Sequence, residues 1–402
     1  MEQNPSAIRR RALPGGIWTL GIVSLLMDTS SELVHSLLPV LMSGVLGASV
    51  ATIGIIEGVA QATAAVGKVF SGAISDVFRK RKILVLLGYG LAALTKPIFP
   101  LANSVGWVFA ARFVDRIGKG LRGAPRDALV ADLAPPEMRG AAYGLRQALD
   151  SVGAFAGPLL AVVFMALLAD DIRTVLWIAV VPAFLCVALI VFGVREPADA
   201  KSAGPRKRLG FSDARRLPLR YWLVVALGAV FTLARFSEAF LILRAQDVGL
   251  AIGFVPLIMI AMNVVYSACA YPAGAAADRV SPRTLLVAGL GMLIVADALL
   301  AAARSPLLAF AGAGFWGLHM AFTQGLFAKL VADAAPGELR GTAFGVFNLF
   351  IGGALLLASV VAGELWTRLG PPATFLAGAT FAAVAAAGLL FFRPRAASAP
   401  ME

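Results

Sequence analysis

An internal repeat constrains this chain more than any other feature. Residues 129–144 read LVADLAPPEMRGAAYG and residues 330–345 read LVADAAPGELRGTAFG, so 11 of 16 positions are identical at an offset of 201. Two further segments lie at nearly the same offset: GAISDVFRKRKIL begins at Gly72, and GAAADRVSPRTLL begins at Gly274. Because 201 is half of the 402-residue chain, the repeat predicts two copies of one ancestral unit fused head to tail.

Composition places the chain in a lipid bilayer. Hydrophobic residues make up 59% of it and charged residues 14%, whereas a soluble domain has roughly 45–50% and about 25%. Twelve apolar segments approach or exceed the ~20 residues that a helix needs to cross a bilayer. They are residues 17–43, 52–75, 83–102, 105–125, 140–168, 172–194, 221–245, 252–276, 283–303, 307–332, 341–366 and 371–392. Together with the repeat, they predict an all-α membrane protein whose twelve transmembrane helices form two pseudo-symmetric six-helix bundles.

The net charge of +12 comes from basic residues that gather between alternate spans. Residues 79–82 and 206–208 are examples, whereas the other connections, such as 44–51, are short and nearly uncharged. This positive-inside pattern predicts a multi-pass protein of the cytoplasmic (inner) membrane with both termini in the cytoplasm. The positive charge therefore indicates which connections are cytoplasmic. We expect the lipid bilayer, and not a nucleic acid, as the partner of this chain.

The polar stretch 196–220 is the linker long enough to separate two bundles, so we assign residues 1–195 to the first and 221–402 to the second. Cys186 and Cys269 fall inside predicted spans, which excludes a disulfide framework and a CxxC metal motif. The sequence contains no P-loop, nucleophile elbow or metal-hydrolase spacing. We therefore expect no enzyme activity and no cofactor, with a proton gradient as the energy source.

Small and charged residues mark two places where helices are predicted to approach closely and move. At the turn after the second span, Gly72 permits close backbone contact, and Asp76 can accept hydrogen bonds from free helix amides or pair with a basic residue. In the fifth span, glycines and a proline predict a bendable helix packed tightly on its partner. The predicted conformational latch comprises Gly72, Asp76, Arg81, Gly153, Gly157, Pro158 and Asp278.

On these motifs the chain resembles the major facilitator superfamily over essentially its whole length. The turn at Gly72 resembles that superfamily's loop 2–3 signature. The fifth span is similar to the antiporter signature of drug-and-proton exporters, with Ala161 and Val162 where two glycines would stand. The segments IEGVAQATA and RIGKGLRGAPRDALVAD also resemble a bacterial subgroup of unassigned permeases that includes nickel-resistance exporters, although this chain lacks their histidine-rich tail. The resemblance implies that helices 1, 4, 7 and 10 line a central cavity.

Ionisable residues inside a span require an explanation, because each costs at least ~2.5–3.5 kcal/mol at mid-depth. Asp28, Glu32 and His35 are spaced i, i+4, i+7 and share one face of the first span. The resemblance implies that this face points into the cavity. We predict that these residues, together with Asp150, carry the coupled protons. Alternatively, the acids pair with arginines and only hold helices together, as Asp150 would with Arg146 one turn away.

The two histidines of the chain, His35 and His319, both lie inside predicted spans. Three roles remain open from the sequence: they relay protons, they ligate a transition metal with Asp28 and Glu32, or they are hydrogen-bonded structure.

Basic residues follow one another along the fourth span. By resemblance, Arg116 senses the protonation of acidic partners. Lys119, Arg122 and Arg126 are expected to extend toward the cytoplasmic face. In the seventh span, Arg235 either pairs with Glu238 or offers a fork for a carboxylate or phosphate. The residues predicted to contact the substrate are Glu57, Gln61, Arg112, Arg116, Arg235, Glu238, His319, Gln324 and Asn348.

These features predict a monomeric secondary transporter that exports a small molecule in exchange for protons by alternating access. Two other functions fit the same residues. A transition-metal exporter would use the acids and histidines as ligands, and a proton symporter for an organic anion would use Arg116 and Arg235 as clamps.

Overall fold

The computed structural model describes residues 13–78, 81–135, 138–194, 211–276, 280–336 and 339–391. These residues form helices joined by short turns, and no β-strand occurs in these ranges. The predicted all-α fold is therefore confirmed for the part of the chain that the structure covers. Most of the predicted linker, residues 195–210, lies outside it.

The described residues of the first half form eight α-helices. They are α1 (Gly15–Val40, continued by a π-helical turn Leu41–Val45), α2 (Val50–Phe78), α3 (Arg81–Thr95), α4 (Ile98–Leu101), α5 (Val105–Leu133), α6 (Arg139–Leu167), α7 (Ile172–Ile178) and α8 (Val180–Gly193).

The second half begins with a 3-10 turn at Phe211–Arg216. Its helices are α9 (Leu219–Leu233), α10 (Ala239–Asp247), α11 (Leu257–Ala276, after a 3-10 turn Ile252–Phe254), α12 (Pro282–Ala302), α13 (Pro306–Ala334), α14 (Arg340–Leu369) and α15 (Pro371–Phe391).

Helix boundaries repeat at the offset seen in the sequence. The helices α5 and α13 begin and end 201 residues apart, and α6 and α14 also begin 201 residues apart. Ser104 and Ser305, which precede α5 and α13, have nearly the same backbone conformation, with φ of −147° and −149°. The duplication therefore extends from the two matching segments to the helices around them.

Nine helical stretches within the described ranges are long and apolar enough to cross a membrane. The other three predicted spans correspond to α5, to the α9–α10 pair and to α13. The count of twelve crossings thus remains a prediction.

The expectation of one continuous seventh span over 221–245 is wrong. The helix stops at Leu233 and resumes at Ala239. In between, the Ser237 hydroxyl accepts a hydrogen bond from the Ala239 amide (3.3 Å), and the Ser237 amide donates to the Ser359 hydroxyl on α14 (3.3 Å). A side chain that satisfies backbone amides in this way competes with the helical hydrogen bonds.

Helix packing follows the repeat as well. The helix α5 packs on α2 and α3, and its counterpart α13 packs on α11 and α12. The two halves meet where α2 packs on α14 and α6 packs on α11.

Glycines allow the closest of these contacts. A Cβ atom on Gly157 of α6 would lie 2.7 Å from both the Leu33 amide nitrogen and the Thr29 carbonyl oxygen of α1. A Cβ on Gly153 would lie 2.7 Å from the Leu25 carbonyl oxygen. Close backbone approach at small residues is how helices associate in lipid, where burial of apolar surface contributes little.

We expect Gly157→Ala to destabilise the protein by about 1–3 kcal/mol, the usual cost of overpacking, because the new methyl group has no space against α1. Gly144→Ala in the same helix is the matched control, since nothing lies within 4 Å of its Cβ position. Thermal unfolding in detergent measures both. Equal melting temperatures for the two variants would contradict the packing described here.

Candidate functional site

A buried ion pair joins α2 and α5 in the first half. Arg112 donates two hydrogen bonds to Glu57, Nε to Oε1 at 3.1 Å and Nη2 to Oε2 at 2.9 Å. The same Nη2 lies 2.8 Å from Nδ1 of His35. Because a guanidinium only donates, Nδ1 accepts this bond, and the neutral imidazole carries its proton on Nε2. All three side chains are buried, Glu57 completely.

A second ion pair lies close by, between α3 and α5. The Lys96 ammonium is 3.0 Å from Oδ1 of Asp115 and 3.1 Å from the Ser31 hydroxyl of α1. Arg116 approaches the other oxygen of Asp115 only to 3.9 Å, and its Nε has no hydrogen-bond partner among the described residues. We call Glu57, Arg112, Lys96, Asp115 and Arg116 the buried ion cluster.

Asp28 and Glu32 differ from the acids of this cluster. Both are half-buried, and neither has a hydrogen-bond partner within the described part of the chain. Their Cβ atoms lie against the glycines of α6, because a Cβ on Gly153 would be 3.0 Å from that of Asp28 and one on Gly157 2.8 Å from that of Glu32.

Lys119 of α5 interacts electrostatically with both Asp28 and Glu32 and is solvent-exposed. An exposed ammonium beside two carboxylates indicates water-accessible space next to α1 and α5. That Lys119 extends toward the cytoplasmic face stays a prediction.

The two arginines that follow bind side chains of neighbouring helices. Arg122 is buried and lies over the Tyr89 ring, 4.3 Å from its centroid. Arg126 donates to the Ser24 hydroxyl (3.1 Å) and the Tyr89 hydroxyl (3.4 Å). Both side chains therefore hold α5 to α1 and α3.

Asp150 is paired within its own helix. Its Oδ2 accepts a hydrogen bond from Nη1 of Arg146 at 2.7 Å, one turn away. Arg126 approaches the other oxygen to 3.9 Å.

The second half presents fewer charges. Arg235 pairs with Glu238 at 3.1 Å beside the break between α9 and α10. His319 of α13 is completely buried, its Nδ1 donates to the Gly289 carbonyl (2.9 Å), and its ring stacks on Phe231 with centroids 5.3 Å apart. Its Nε2 is therefore an acceptor, and no donor reaches it from the described residues.

The remaining predicted residues are distributed as follows. Gln61 and Asn348 are half-buried, and the Gln324 side chain lies outside the described residues, as do the side chain of Asp76 and the whole of Asp278. Arg81 binds Asp132 and donates to the Ala128 carbonyl (3.1 Å), so it ties α3 to α5 within the first half.

No group of three His, Cys, Asp or Glu side chains that could hold a metal ion occurs in the described part of the chain. His35 and His319 each bind a neighbour in their own half.

A cavity of about 370 Å³ lies between α6 and α11, where the two halves meet. It is lined by Ser151, Val152, Ala154, Phe155, Asn263, Val264, Tyr266 and Ser267.

Comparison with known proteins decides the family. The sequence profile of the Major Facilitator Superfamily matches residues 20–244 and 231–400. The chain belongs to this superfamily. It is a multi-pass membrane transporter, and the predicted fold of paired bundles is that of its family.

Two relatives of this transporter are uncharacterised. An MFS-type transporter of Methanocaldococcus jannaschii is 33% identical over 392 residues, which cover 95% of this chain and 96% of that protein. A Mycobacterium tuberculosis protein is 28% identical over 356 residues, covering 87% of this chain and 86% of its own.

Solved structures share the fold at low identity. The nucleoside transporter NupG superposes with a TM-score of 0.75 at 14% identity, covering 94% of this chain and 98% of that protein. A D-xylose-proton symporter superposes with a TM-score of 0.72 at 17% identity, covering 94% and 97%. At these identities the likeness describes the fold alone.

We expect Glu57→Gln to destabilise the transporter by about 3–5 kcal/mol, because it leaves the Arg112 charge buried without a counterion. The double variant Glu57→Leu with Arg112→Met removes both charges and should recover much of this loss. Thermal unfolding in detergent compares the two. A double variant less stable than Glu57→Gln would show that the pair does more than neutralise itself.

Proposed function

We infer that this transporter exports a small molecule across the cytoplasmic membrane in exchange for protons. The observation that carries the inference is the contrast among the intramembrane acids. Glu57, Asp115 and Asp150 are ion-paired, whereas Asp28 and Glu32 have no hydrogen-bond partner in the described ranges and border water-accessible space. Carboxylates of this kind are free to exchange a proton as their surroundings change.

Alternating access would move residues 1–195 against residues 221–402. Contacts between the halves support a state closed at the predicted outer end. Ser43 beyond α1 hydrogen-bonds Gln246 of α10 (3.4 Å), and the Ala51 amide donates to the Thr367 hydroxyl (3.0 Å).

In this proposal the carboxylates of Asp28 and Glu32 bind protons from outside when the outer end opens. Protonation removes their attraction for Lys119, so the ammonium is released to a new position in the cavity. The change of charge beside the cavity then alters the affinity for the solute, which couples the two fluxes.

One observation favours an anionic solute moved by symport as the second candidate. Buried Arg116 is only loosely held by Asp115, and the exposed Lys119 lies near enough to interact with its charge, so two cations could bind one anion. The transition-metal alternative has less support, because the described residues offer no cluster of three ligands.

The test is transport by proteoliposomes under an imposed pH gradient, with a panel of organic solutes and metal salts. Export by exchange requires solute to move against the proton flux, and symport requires both to move together. A wild-type protein indifferent to gradients of either sign would refute proton coupling.

We expect Asp28→Asn or Glu32→Gln to retain solute exchange between equal pH values but to lose accumulation driven by a gradient, because a permanently neutral group cannot load and unload a proton. Glu364→Gln is the control, since Glu364 forms an exposed pair with Arg368 on α14 (2.9 Å). Gradient-driven accumulation at the wild-type level in both cavity variants would count against these carboxylates.

A further inference from the structure

A carboxyl group in the second half lacks any partner in the described structure. Asp297 of α12 is completely buried, and neither of its oxygens has a hydrogen-bond partner among the residues described. No charged group in the described ranges acts on it appreciably. The sequence did not mark it as functional, because a single aspartate near the end of an apolar span shows no pattern.

The internal repeat identifies its counterpart. Asp297 lies 201 positions after Lys96, and Trp316 lies 201 positions after Asp115. The ion pair between α3 and α5 thus corresponds to an aspartate and a tryptophan at the interface of α12 and α13. The Trp316 indole nitrogen is also buried without an acceptor in the described residues. Where the first half has a salt bridge, the second has two unpaired polar groups.

The surroundings of Asp297 are apolar. A Cβ atom on Gly378 of α15 would lie 2.6 Å from its Oδ2 and 3.1 Å from the Phe236 ring. That ring lies 5.3 Å from Trp316 and 5.5 Å from Phe375, measured between centroids. The carboxyl group therefore faces a glycine and aromatic rings.

Ionisable groups on the packed elements have other partners or lie at helix ends. Arg235 pairs with Glu238, and His319 donates to Gly289. Arg244 of α10 binds Asp247 and the carbonyls at the end of α12. The range of α15 contains no ionisable residue. At the ends of α12 and α13 lie Arg283, Arg304, Lys329 and Asp333.

A carboxylate in such an enclosure would be costly, because desolvation is not offset by any hydrogen bond or opposite charge. The group is stable there as the neutral acid. In the conformation described here, Asp297 therefore holds a proton.

We propose that Asp297 is a proton-binding site of the second half, occupied in this conformation and emptied when the break between α9 and α10 moves. The proposal rests on the proton-coupled transport inferred above. It adds a site remote from Asp28 and Glu32, on a helix pair that carries an ion pair in the first half.

A continuous set of contacts links this site to the interface between the halves. Gly54 of α2 is so close to α14 that a Cβ there would overlap the Ser359 carbonyl oxygen. The Ser359 hydroxyl accepts the hydrogen bond of Ser237 in the break. Phe236, the preceding residue, contacts the Asp297 pocket. Rocking of α2 against α14 would displace this hydrogen bond and expose the pocket.

Infrared spectroscopy of the purified full-length transporter in lipid tests whether Asp297 holds a proton. The wild-type protein should show a carboxylic-acid carbonyl band that Asp297→Asn lacks. Asparagine keeps the shape and neutrality of the protonated group, so this variant should fold. If it does not, Asp297→Glu is the second variant, because it keeps the acid but moves its carbonyl band. Asp171→Asn is the control, since Asp171 is the exposed N-cap of α7, its ionised carboxylate contributes no such band, and asparagine also caps helices. Absence of an Asp297 band in neutral buffer overturns the proposal.

A cross-link that holds the predicted outer end closed tests whether Asp297 releases its proton when the two halves move. The variant carries Ser43→Cys and Gln246→Cys, with Cys186→Ala and Cys269→Ala to remove the native thiols. A short thiol-specific reagent joins the two new side chains. With the cross-link in place, the Asp297 band should persist in alkaline buffer. Without it, the band should be lost. If the Asp297 band persists equally with and without the cross-link, the proton is never released, and the proposal is overturned.

Transport separates this inference from the proposed function. Asp297→Asn should exchange solute normally but lose gradient-driven accumulation. If the wild type ignores the pH gradient, the proposed function fails, and the spectra still decide whether Asp297 binds and releases a proton. If Asp28→Asn loses gradient-driven accumulation while Asp297→Asn keeps it, Asp297 has no role in coupling. The proposed function then stands without it.

Discussion

The ion pair of Arg112 with Glu57 is the interaction on which the first half depends. A guanidinium inside a membrane protein is costly unless its charge is matched and its donors are occupied. Two bonds to Glu57 and one to His35 meet that requirement and tie α2, α5 and α1 together. Lys96 with Asp115 does the same for α3. The cluster thus determines how four helices face one another, and we propose the nearby Asp28 and Glu32 as the groups that change charge.

The two halves share the same helix arrangement but differ in the side-chain interactions between their helices. Positions 201 residues apart carry His35 and Phe236, and likewise Lys96 and Asp297. Close glycine contacts occur in both halves. The first half is also joined by buried ion pairs, whereas the second has aromatic rings at the corresponding place. An ionic half offers sites where protonation changes an attraction. The second half has no described charge beside the buried Asp297 carboxyl group, which is why we propose that it holds a proton.

Transport requires that a change in one half is transmitted to the other half. The contact between α2 and α14 is suited to this, because it is built on backbone approach at residues such as Gly54 and Gly363. Surfaces of small residues slide with little change in buried side-chain volume. The hydrogen bond from Ser237 to Ser359 attaches the α9–α10 break to this moving surface.

The sequence by itself determined the duplication, the family, the approximate helix boundaries and the residues that must be explained inside a membrane, because these follow from composition, periodicity and an offset of 201. The partners were decided only by the tertiary structure. Arg112 and Glu57 are 55 residues apart, and Lys96 was not singled out although it lies inside the predicted span 83–102. Helical spacing shows which residues share a face of one helix. It contains no information on which face of another helix lies opposite, and the partner, exposure and protonation state of an ionisable group depend on that.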